Sequence, residues 1–355
     1  MITLNAMVDR RDYSLLGRDG AAARENGLAS ARWYQTAIPR KSLAALMKPA
    51  DGPAIRDTII LFAAMAGLAS AAAILYPSWL SVPFFLAYGV LYGSAMDSRW
   101  HECGHKTAFK TRWMNYVVYQ IACFCMIRNP HTWRWSHARH HTDTIIVGRD
   151  PEIQLMRPPE FARLIANFLG LLDVPTGLRL MLINASGKLD PQEATYIPDS
   201  EHHRVVRVAR AWVLVYAATI AVAMMMQSWL PLLLVGTPRL YGAWHHVMTA
   251  MLQHGGLADN VTDHRLNTRT VIMNPVSRFI YWNMNYHVEH HMYPKVPYHA
   301  LPALHAMVRH DLPSPSPSIV AGFAEMWPAL VRQLRNEDYF VRRELPNTAT
   351  PYRET

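Results

Sequence analysis

Cysteine is scarce, with three in 355 residues. An odd count this low excludes a disulfide-stapled scaffold. Charge is scarce too: Asp, Glu, Lys and Arg make up 17%, against roughly 25% in a typical soluble domain. With 51% hydrophobic residues, the chain cannot be intrinsically disordered. Only 17 residues are glycine, which excludes a collagen-like repeat. There is no Gly-x-Gly-x-x-Gly for a flavin or nicotinamide, no Cys-x-x-Cys-His for haem and no four-cysteine pattern for an iron–sulfur cluster. No nucleic-acid motif and no internal repeat is present. The charge that exists is basic, 35 Lys and Arg against 26 Asp and Glu, a formal +9. Such a balance suits nucleic acid or a membrane surface, and its distribution separates the two.

From Thr58 to Met96 there is no Asp, Glu, Lys, Arg or His over 39 residues. At about 1.5 Å rise per residue and a ~30 Å hydrocarbon core, this run predicts two membrane helices joined by a tight turn at Pro77-Ser78-Trp79. A cleaved signal peptide does not fit, because the run starts late and no basic region precedes it near Met1. A second uncharged run covers Ala211–Pro238, 28 residues. Arg239 interrupts it, and no further Asp, Glu, Lys or Arg occurs before Asp259. It predicts a second hairpin, turning at Gln227–Trp229 or, alternatively, at Gly236–Arg239. Essentially all Lys and Arg then lie on one side, which is cytoplasmic by the positive-inside tendency. Topology and anionic lipid thus account for the basic balance, without nucleic acid.

The predicted fold is an all-α integral membrane protein. Four spans, about 57–76, 79–96, 208–227 and 229–252, form two hairpins within a membrane domain over 56–310. Residues 1–55 and 311–355 read as cytoplasmic segments, with one helix at Ile319–Leu334. Tyr116–Ile127 is too short to span and reads as re-entrant or packed on the bundle. Phe161–Ile183, broken at Pro175, reads as an amphipathic surface segment.

What the chain has in excess is histidine, 18 residues. Three clusters stand out: His101-Glu-Cys-Gly-His105, His137-Ala-Arg-His140-His141 and His287-Val-Glu-His290-His291. On a helix, positions i, i+3 and i+4 share a face, so each cluster presents imidazoles together. Chance yields about 0.9 His-x-x-x-His matches in such a chain, but only about 0.05 His-x-x-His-His, so two copies are of order one in a thousand. All three clusters fall on the predicted cytoplasmic side, where one site can collect them. His254, closing the second hairpin, reads as a ninth ligand. His202, His203 and His310 read as structural. His245, His246 and His264 read as structural with a ligand role as the alternative. Eight or nine imidazoles are too many for one ion and suit two. Imidazole suits Fe, Zn, Cu and Ni. Zinc takes four ligands per structural site, so eight His could hold two zincs, while two His-rich iron centres at a membrane surface would suit dioxygen activation.

The boxes HECGH, HARHH and HVEHH, in the settings HECGHKTAF, WRWSHARHHTDT, LQHGG and NYHVEHHMYPKVPYHALPALH, resemble those of the membrane fatty acid desaturase superfamily. The likeness covers about residues 55–310. The stretch DHRLNTRTVIMNPVSRFIYWNMNYHVEHH resembles a bacterial branch containing rhizopine oxygenase-like proteins and dihydrorhizobitoxine desaturase. The resemblance implies four membrane helices under a cytoplasmic helical cap that holds a non-haem di-iron centre. The ligands it implies are His101, His105, His137, His140, His141, His254, His287, His290 and His291. Stearoyl-type members carry an Asn four residues before the ninth His, where this chain has Ala250.

The implied activity is O₂-dependent desaturation of an aliphatic chain, fatty acyl or a small amino-acid-derived ether. Hydroxylation or O-demethylation of the rhizopine oxygenase type is the alternative. From another class, a His-rich membrane metal transporter or sensor is carried as a rival; it should place polar ligands in mid-span. The implied cofactor is two Fe, with no covalent cofactor. Implied partners are O₂, membrane lipids, and a ferredoxin, Rieske-type among the options, with its reductase. The implied location is a bacterial inner membrane, multi-pass, with both termini and the His boxes cytoplasmic. Groups behind the imidazoles are expected to fix their tautomers. Asp143, Asp263, Asn285 and Glu289 lead the candidates, ahead of Glu102, Asp150 and Glu152. Trp133 and Trp135 wall the site or anchor at the interface. Cys103 reads as a spectator. Arg134, Arg139, Arg149 and Lys295 read as facing headgroups, with a substrate carboxylate or phosphopantetheine as the alternative.

Overall fold

The computed structural model describes residues 10–29 and 31–353, so residues 1–9 of the expected N-terminal segment lie outside the described residues. The described chain is helical, with two isolated β-bridges, Thr270 with Tyr286 and Val271 with Ser316. Short helices α1 (Arg18–Glu25) and α2 (Arg40–Leu46) lead into α3 (Asp51–Leu75). After the Pro77 turn, a Ser78 side chain accepts from the Leu80 amide and starts the return. That return is helical from Trp79 to His105. It comprises α4 (Val82–Val90), a π-helical segment (Leu91–Ala95) and α5 (Met96–His105). The first predicted hairpin is therefore present, and its second arm runs through the first His box.

Both arms are apolar outside as well as inside. Ile59, Ile74, Leu86 and Trp79 are exposed, as they would be against lipid. Of the two acids of α3, Asp51 takes Thr111 and Asp57 is spent inward. Asp57 is buried and accepts from the Tyr298 hydroxyl at 2.8 Å and the Trp282 indole at 3.2 Å. Ser98 of α5 donates to the Ile280 carbonyl at 2.8 Å. The beginnings of α3 and of α5 are thereby tied to the same later segment.

From His105 the chain turns at Lys106 (φ 63°) into α6 (Arg112–Met126), then at Ile127 (φ 56°) into α7 (Pro130–Thr142). Asn129 caps α7 by accepting from the His131 amide, and Pro130 sits at its first position. Next come α8 (Phe161–Phe168) and α9 (Asp173–Ala185), bent by 81°. The break lies at Gly170 (φ 62°), whereas Pro175 sits harmlessly in the first turn of α9. The third long helix is α10 (Asp199–Met225).

The returning arm expected at 229–252 is not one helix. It is split into α11 (Leu230–Leu234), α12 (Pro238–Gly242) and α13 (Trp244–His254). Gly236 at φ 93° and Pro238 cause the split. Three helical stretches among the described residues are long and apolar enough to cross a membrane, or four if the bent α8–α9 pair counts as one. Arg239, in the broken arm, is buried. It donates to the Gly93 carbonyl at 2.7 Å and to Asp173 at 3.0 Å. An ionisable group at this position faces the protein interior, not lipid.

The chain closes with α14 (His264–Asn267), α15 (Pro275–Ile280), α16 (His287–Met292), α17 (Leu301–Val308) and α18 (Ile319–Gln333). Residues after 310, read from sequence as a tail, are packed in. Met326, Ala329 and Leu330 of α18 are buried, and Leu252 of α13 lies against Gly322.

The broken arm crosses α4 and the π-helical segment backbone to backbone. A Cβ added at Gly242 would meet the Gly89 carbonyl oxygen at 1.8 Å, and Ser94 donates to the Gly242 carbonyl at 2.6 Å. Neither contact can yield to a larger side chain. Gly242→Val is expected to cost about 1–3 kcal/mol or more, read as a lowered melting temperature and lost monodisperse yield in detergent. Gly67→Ala, whose added carbon meets nothing within 4 Å, is expected to behave as the parent chain.

Candidate metal centre

The nine histidines picked from the sequence converge, but not box by box. His101, His105, His137, His141 and His290 form one group. His140, His254, His287 and His291 form a second. Within each group one ring nitrogen per residue lies within 4.8 Å of all the others. The i, i+4 pairs 101/105, 137/141 and 287/291 each stay together, as helical geometry requires. The remaining histidine of each His-x-x-His-His box crosses over: His140 to the second group, His290 to the first. The α7 and α16 helices therefore each serve both groups. The groups adjoin, with the His141 and His291 rings 4.6 Å apart.

The nitrogens point at one another. His137 Nε2 lies 3.0 Å from His105 Nε2 and 3.1 Å from His141 Nε2, which is 3.1 Å from His290 Nε2. His291 Nε2 is 3.1 Å from His287 Nε2. One proton can serve each such contact, so lone pairs are left facing inward. Both ring nitrogens of His101 and the Nε2 of His254 are buried without a partner. Unsatisfied buried polar atoms are costly, and a cation among these lone pairs satisfies them together. All nine donors are imidazole nitrogens, a set that suits iron, copper, nickel or zinc.

Four of the outward nitrogens are held from behind, while the Nδ1 atoms of His141, His287 and His290 have no partner. Asp150 lies 2.8 Å from His140 Nδ1, and Glu152 lies 2.9 Å from His137 Nδ1. The Asn267 carbonyl accepts from His254 Nδ1 at 2.8 Å. Thr144 Oγ1 lies 3.3 Å from His291 Nδ1. Each contact places the proton on Nδ1 and leaves Nε2 for a metal. The chain achieves this by doubling back after α7. Ile145 and Gly148 take positive φ (55° and 74°), and Asp150 accepts from the Ile145 amide at 2.8 Å while reaching His140.

The four leading candidates for this role are spent elsewhere. Asp143 pairs with Arg149 at 2.8 Å, and Asp263 with Arg265 at 2.7 Å. Asn285 donates to the Val271 carbonyl at 2.8 Å. Glu289 accepts from Thr270 and lies in close contact with His305. Proximity in sequence misled because a residue next to a ligand on a helix points to another face. Glu102 likewise takes Thr107 at 2.6 Å and the Tyr298 amide at 3.0 Å. The signal for Asp150 and Glu152 was the Gly148-Arg-Asp-Pro-Glu turn following a His-His end.

His245 and His246 join neither group. His245 lies 3.1 Å from Ser277 Oγ, and His246 lies 2.9 Å from Asp97. His264 stacks on Trp33 with centroids 4.2 Å apart. Trp133 is a wall of the site: it stacks on Trp100, which lies edge-on to His101 and His137. Cys103 is buried outside both groups. Ala250 lines the adjoining cavity.

Burial, reinforced by neighbouring imidazoles, holds His137, His141, His287, His290 and His291 well below the usual histidine range. They are neutral and ready to ligate at neutral pH. His140 differs: burial lowers it, but Asp150 more than offsets this and raises it. Burial pushes the Glu152 carboxyl up to about 7. In the metal-free protein a raised His140 contributes stability below its ordinary value of 6.5 and loses it as pH rises through the raised value. Metal competes with that proton. In a pH titration with Co(II), the group containing His140 is expected to lose metal first as pH falls, with the five-histidine group persisting to lower pH. Asp150→Asn and Glu152→Gln are each expected to weaken binding to the adjacent group by roughly 10–100-fold.

A fatty acid desaturase family model matches residues 77–322 of this chain. The chain is 26% identical over 274 residues to a chloroplastic omega-3 fatty acid desaturase of Glycine max, covering 71% of this chain and 58% of that protein. It is 27% identical over 276 residues to an endoplasmic reticulum omega-6 fatty acid desaturase of the same plant, covering 66% and 67%. A shorter match, 32% over 96 residues, links it to an sn-1 acyl-lipid omega-3 desaturase (ferredoxin) of Nostoc sp., covering 27% and 25%.

Proposed function

The chain belongs to the fatty acid desaturase family, and from that premise we propose that it is a membrane O₂-dependent di-iron desaturase. The observation that carries this reading is the sorting of nine imidazoles into adjoining groups of five and four. Five nitrogen donors exceed the four of a structural zinc site, and no thiolate is among them. Iron accepts such a set. His101, His105, His137, His141 and His290 would hold one ion, and His140, His254, His287 and His291 the other.

With O₂ and two electrons, such a pair of ions supplies an oxidant able to remove hydrogen from an unactivated carbon. The balance is –CH₂–CH₂– + O₂ + 2 e⁻ + 2 H⁺ → –CH=CH– + 2 H₂O. The protein's share is placement and protection. Asp150, Glu152 and the Asn267 carbonyl orient three of the imidazoles. The Trp100–Trp133 stack keeps water from one flank of His101 and His137. Two electrons per turnover come from outside, since the chain has no redox motif of its own. A ferredoxin with its reductase fits the basic balance of +9; the Nostoc relative's name carries the same donor. The boxes are proposed to face the cytoplasm of a bacterial inner membrane, the side of the Lys and Arg.

The metal-transporter reading has less support. The ligand histidines lie at helix ends and short helices, not in mid-span, and His245 and His246 in the broken arm are paired to Ser277 and Asp97.

Purified full-length protein is expected to carry about two irons per chain, and His290→Ala and His287→Ala each to lower that content and abolish turnover. Turnover under ¹⁸O₂ with ferredoxin and reductase is expected to give a product lighter by two hydrogens and free of label. A labelled alcohol or labelled formaldehyde would move the enzyme to hydroxylation or O-demethylation. Zinc persisting after anaerobic iron reconstitution would sink the oxidative reading.

A further inference from the structure

The cavity beside the metal centre is lined by five of the nine candidate ligand histidines. Leu155, Leu164, Met251 and Met284 are among its apolar walls. Its charged members are paired off, Asp97 with His246, Asp173 with Arg239 and Asp259 with Arg157. Apolar walls with a few placed polar groups suit an acyl chain.

Two helices form part of this wall. Leu164 and Asn167 come from α8, and Gln333 comes from α18. The α18 helix is also braced on the turn after His254. A Cβ on Gly255 would meet the Met326 sulfur, and one on Gly256 would meet Ala329 at 3.0 Å. The opposite faces of the same two helices are apolar and bare. On α18, Val320, Ala324, Trp327 and Val331 recur at i, i+4, i+7 and i+11, and all are exposed. Glu325, the acid of this helix, turns aside to Arg269 and Arg343. On α8, Phe161, Leu164 and Phe168 pack inward, while Ile165 is 66% exposed and Leu169, just past its end, 55%. Phe161 and Trp327 meet at the surface, with ring centroids 5.1 Å apart.

A bare apolar patch of this kind marks an interface. Here it is continuous with the membrane-crossing part of the fold. The bend between α8 and α9 rests on the broken arm, since a Cβ on Gly170 would meet the Arg239 carbonyl oxygen at 3.1 Å. The far end of α9 lies beside α10, where Arg210 donates to the Ala185 carbonyl at 3.0 Å, at the start of the uncharged run. The α8 helix therefore leaves the bundle at the membrane boundary, where an exposed indole such as Trp327 is at home.

We propose that α8 and α18 lie in the membrane boundary and form a lateral entrance, through which a lipid-borne acyl chain passes between Phe161 and Trp327 into the cavity beside the histidines. This rests on the desaturase reading for the chemistry that follows entry. The wall is one helix thick, with lipid against Ile165 and the cavity against Leu164. A chain entering there keeps its methylenes out of water throughout. Entry from the water side, where exposed Gln154 also lines the cavity, is the rival.

The test uses the full chain in phosphatidylcholine nanodiscs, with and without iron. Phe161→Cys and Trp327→Cys are combined in one protein, whose three native cysteines are buried. A bifunctional methanethiosulfonate linker, released by reductant, joins the two new thiols. The probe is phosphatidylcholine carrying a mid-chain diazirine, and labelled residues are read by mass spectrometry. Without the linker, label is expected on Leu164 and Met251 in the cavity and on Ile165 and Val331 outside. Linking is expected to abolish the cavity label and leave the outer label, and reductant to restore both. Cavity label that persists in the linked protein, a cavity that takes no label even unlinked, or an outer stripe left unlabelled would overturn the proposal. Cavity labelling by a diazirine acyl thioester of coenzyme A that ignores the linker would overturn it in favour of water-side entry. Because label is read in the iron-free protein too, failure of the di-iron reading leaves the entrance to be judged on its own.

Discussion

Nine imidazoles are gathered in one place, six of them buried and three half-buried, and most of the structure answers to that. An imidazole taken out of water must keep its hydrogen bonds or find a metal. Charged imidazoles packed ring to ring would repel, so burial and mutual proximity hold most of them neutral. Neutral rings with protons fixed outward by Asp150, Glu152 and the Asn267 carbonyl leave lone pairs pointing inward. That arrangement is unfavourable without a cation and strongly favourable with one. A cation held here would couple its binding to folding.

The membrane helices hold the centre by their ends. The α5 helix brings His101 and His105 out of the first hairpin, and the π-helical segment just before it carries Ser94, whose hydroxyl is shared between Gly242 and the His246 amide. Single-turn π segments inside α-helices recur at functional sites. Here the segment meets the broken arm that delivers His254. Arg239 closes the same junction by joining Gly93 to Asp173. The price of breaking the arm is two unsatisfied helix ends, and these side chains supply the partners. Asp97, Arg239 and His246 at this junction also line the cavity beside the histidines, so one framework holds both.

Much of this was legible beforehand. Thirty-nine residues without charge announced the first hairpin, because hydrocarbon tolerates no unpaired charge. The nine candidate histidines were legible from spacing, box placement and the family resemblance together. The second hairpin was not. Pro231, Gly236, Pro238 and Arg239 were visible, but whether they bend a span or end it depends on what satisfies the freed backbone groups, and those partners come from α4 and the π-helical segment. The groups behind the imidazoles were also misjudged. Asp143, Asp263, Asn285 and Glu289 are near ligands in sequence, yet arginines, a threonine, a histidine and a backbone carbonyl claim them.

Local sequence determined that His101 and His105, His137 and His141, and His287 and His291 act in pairs, since one helical turn puts i and i+4 side by side. It determined that the centre is all-imidazole, and that the first hairpin is apolar enough to enter a membrane. Only the tertiary structure decided that His140 leaves its box for His254, and that His290 leaves its own for His101. That exchange requires α7 and α16 to face each other across two sites, a relation set by packing between segments about 150 residues apart. No spacing within either box encodes it.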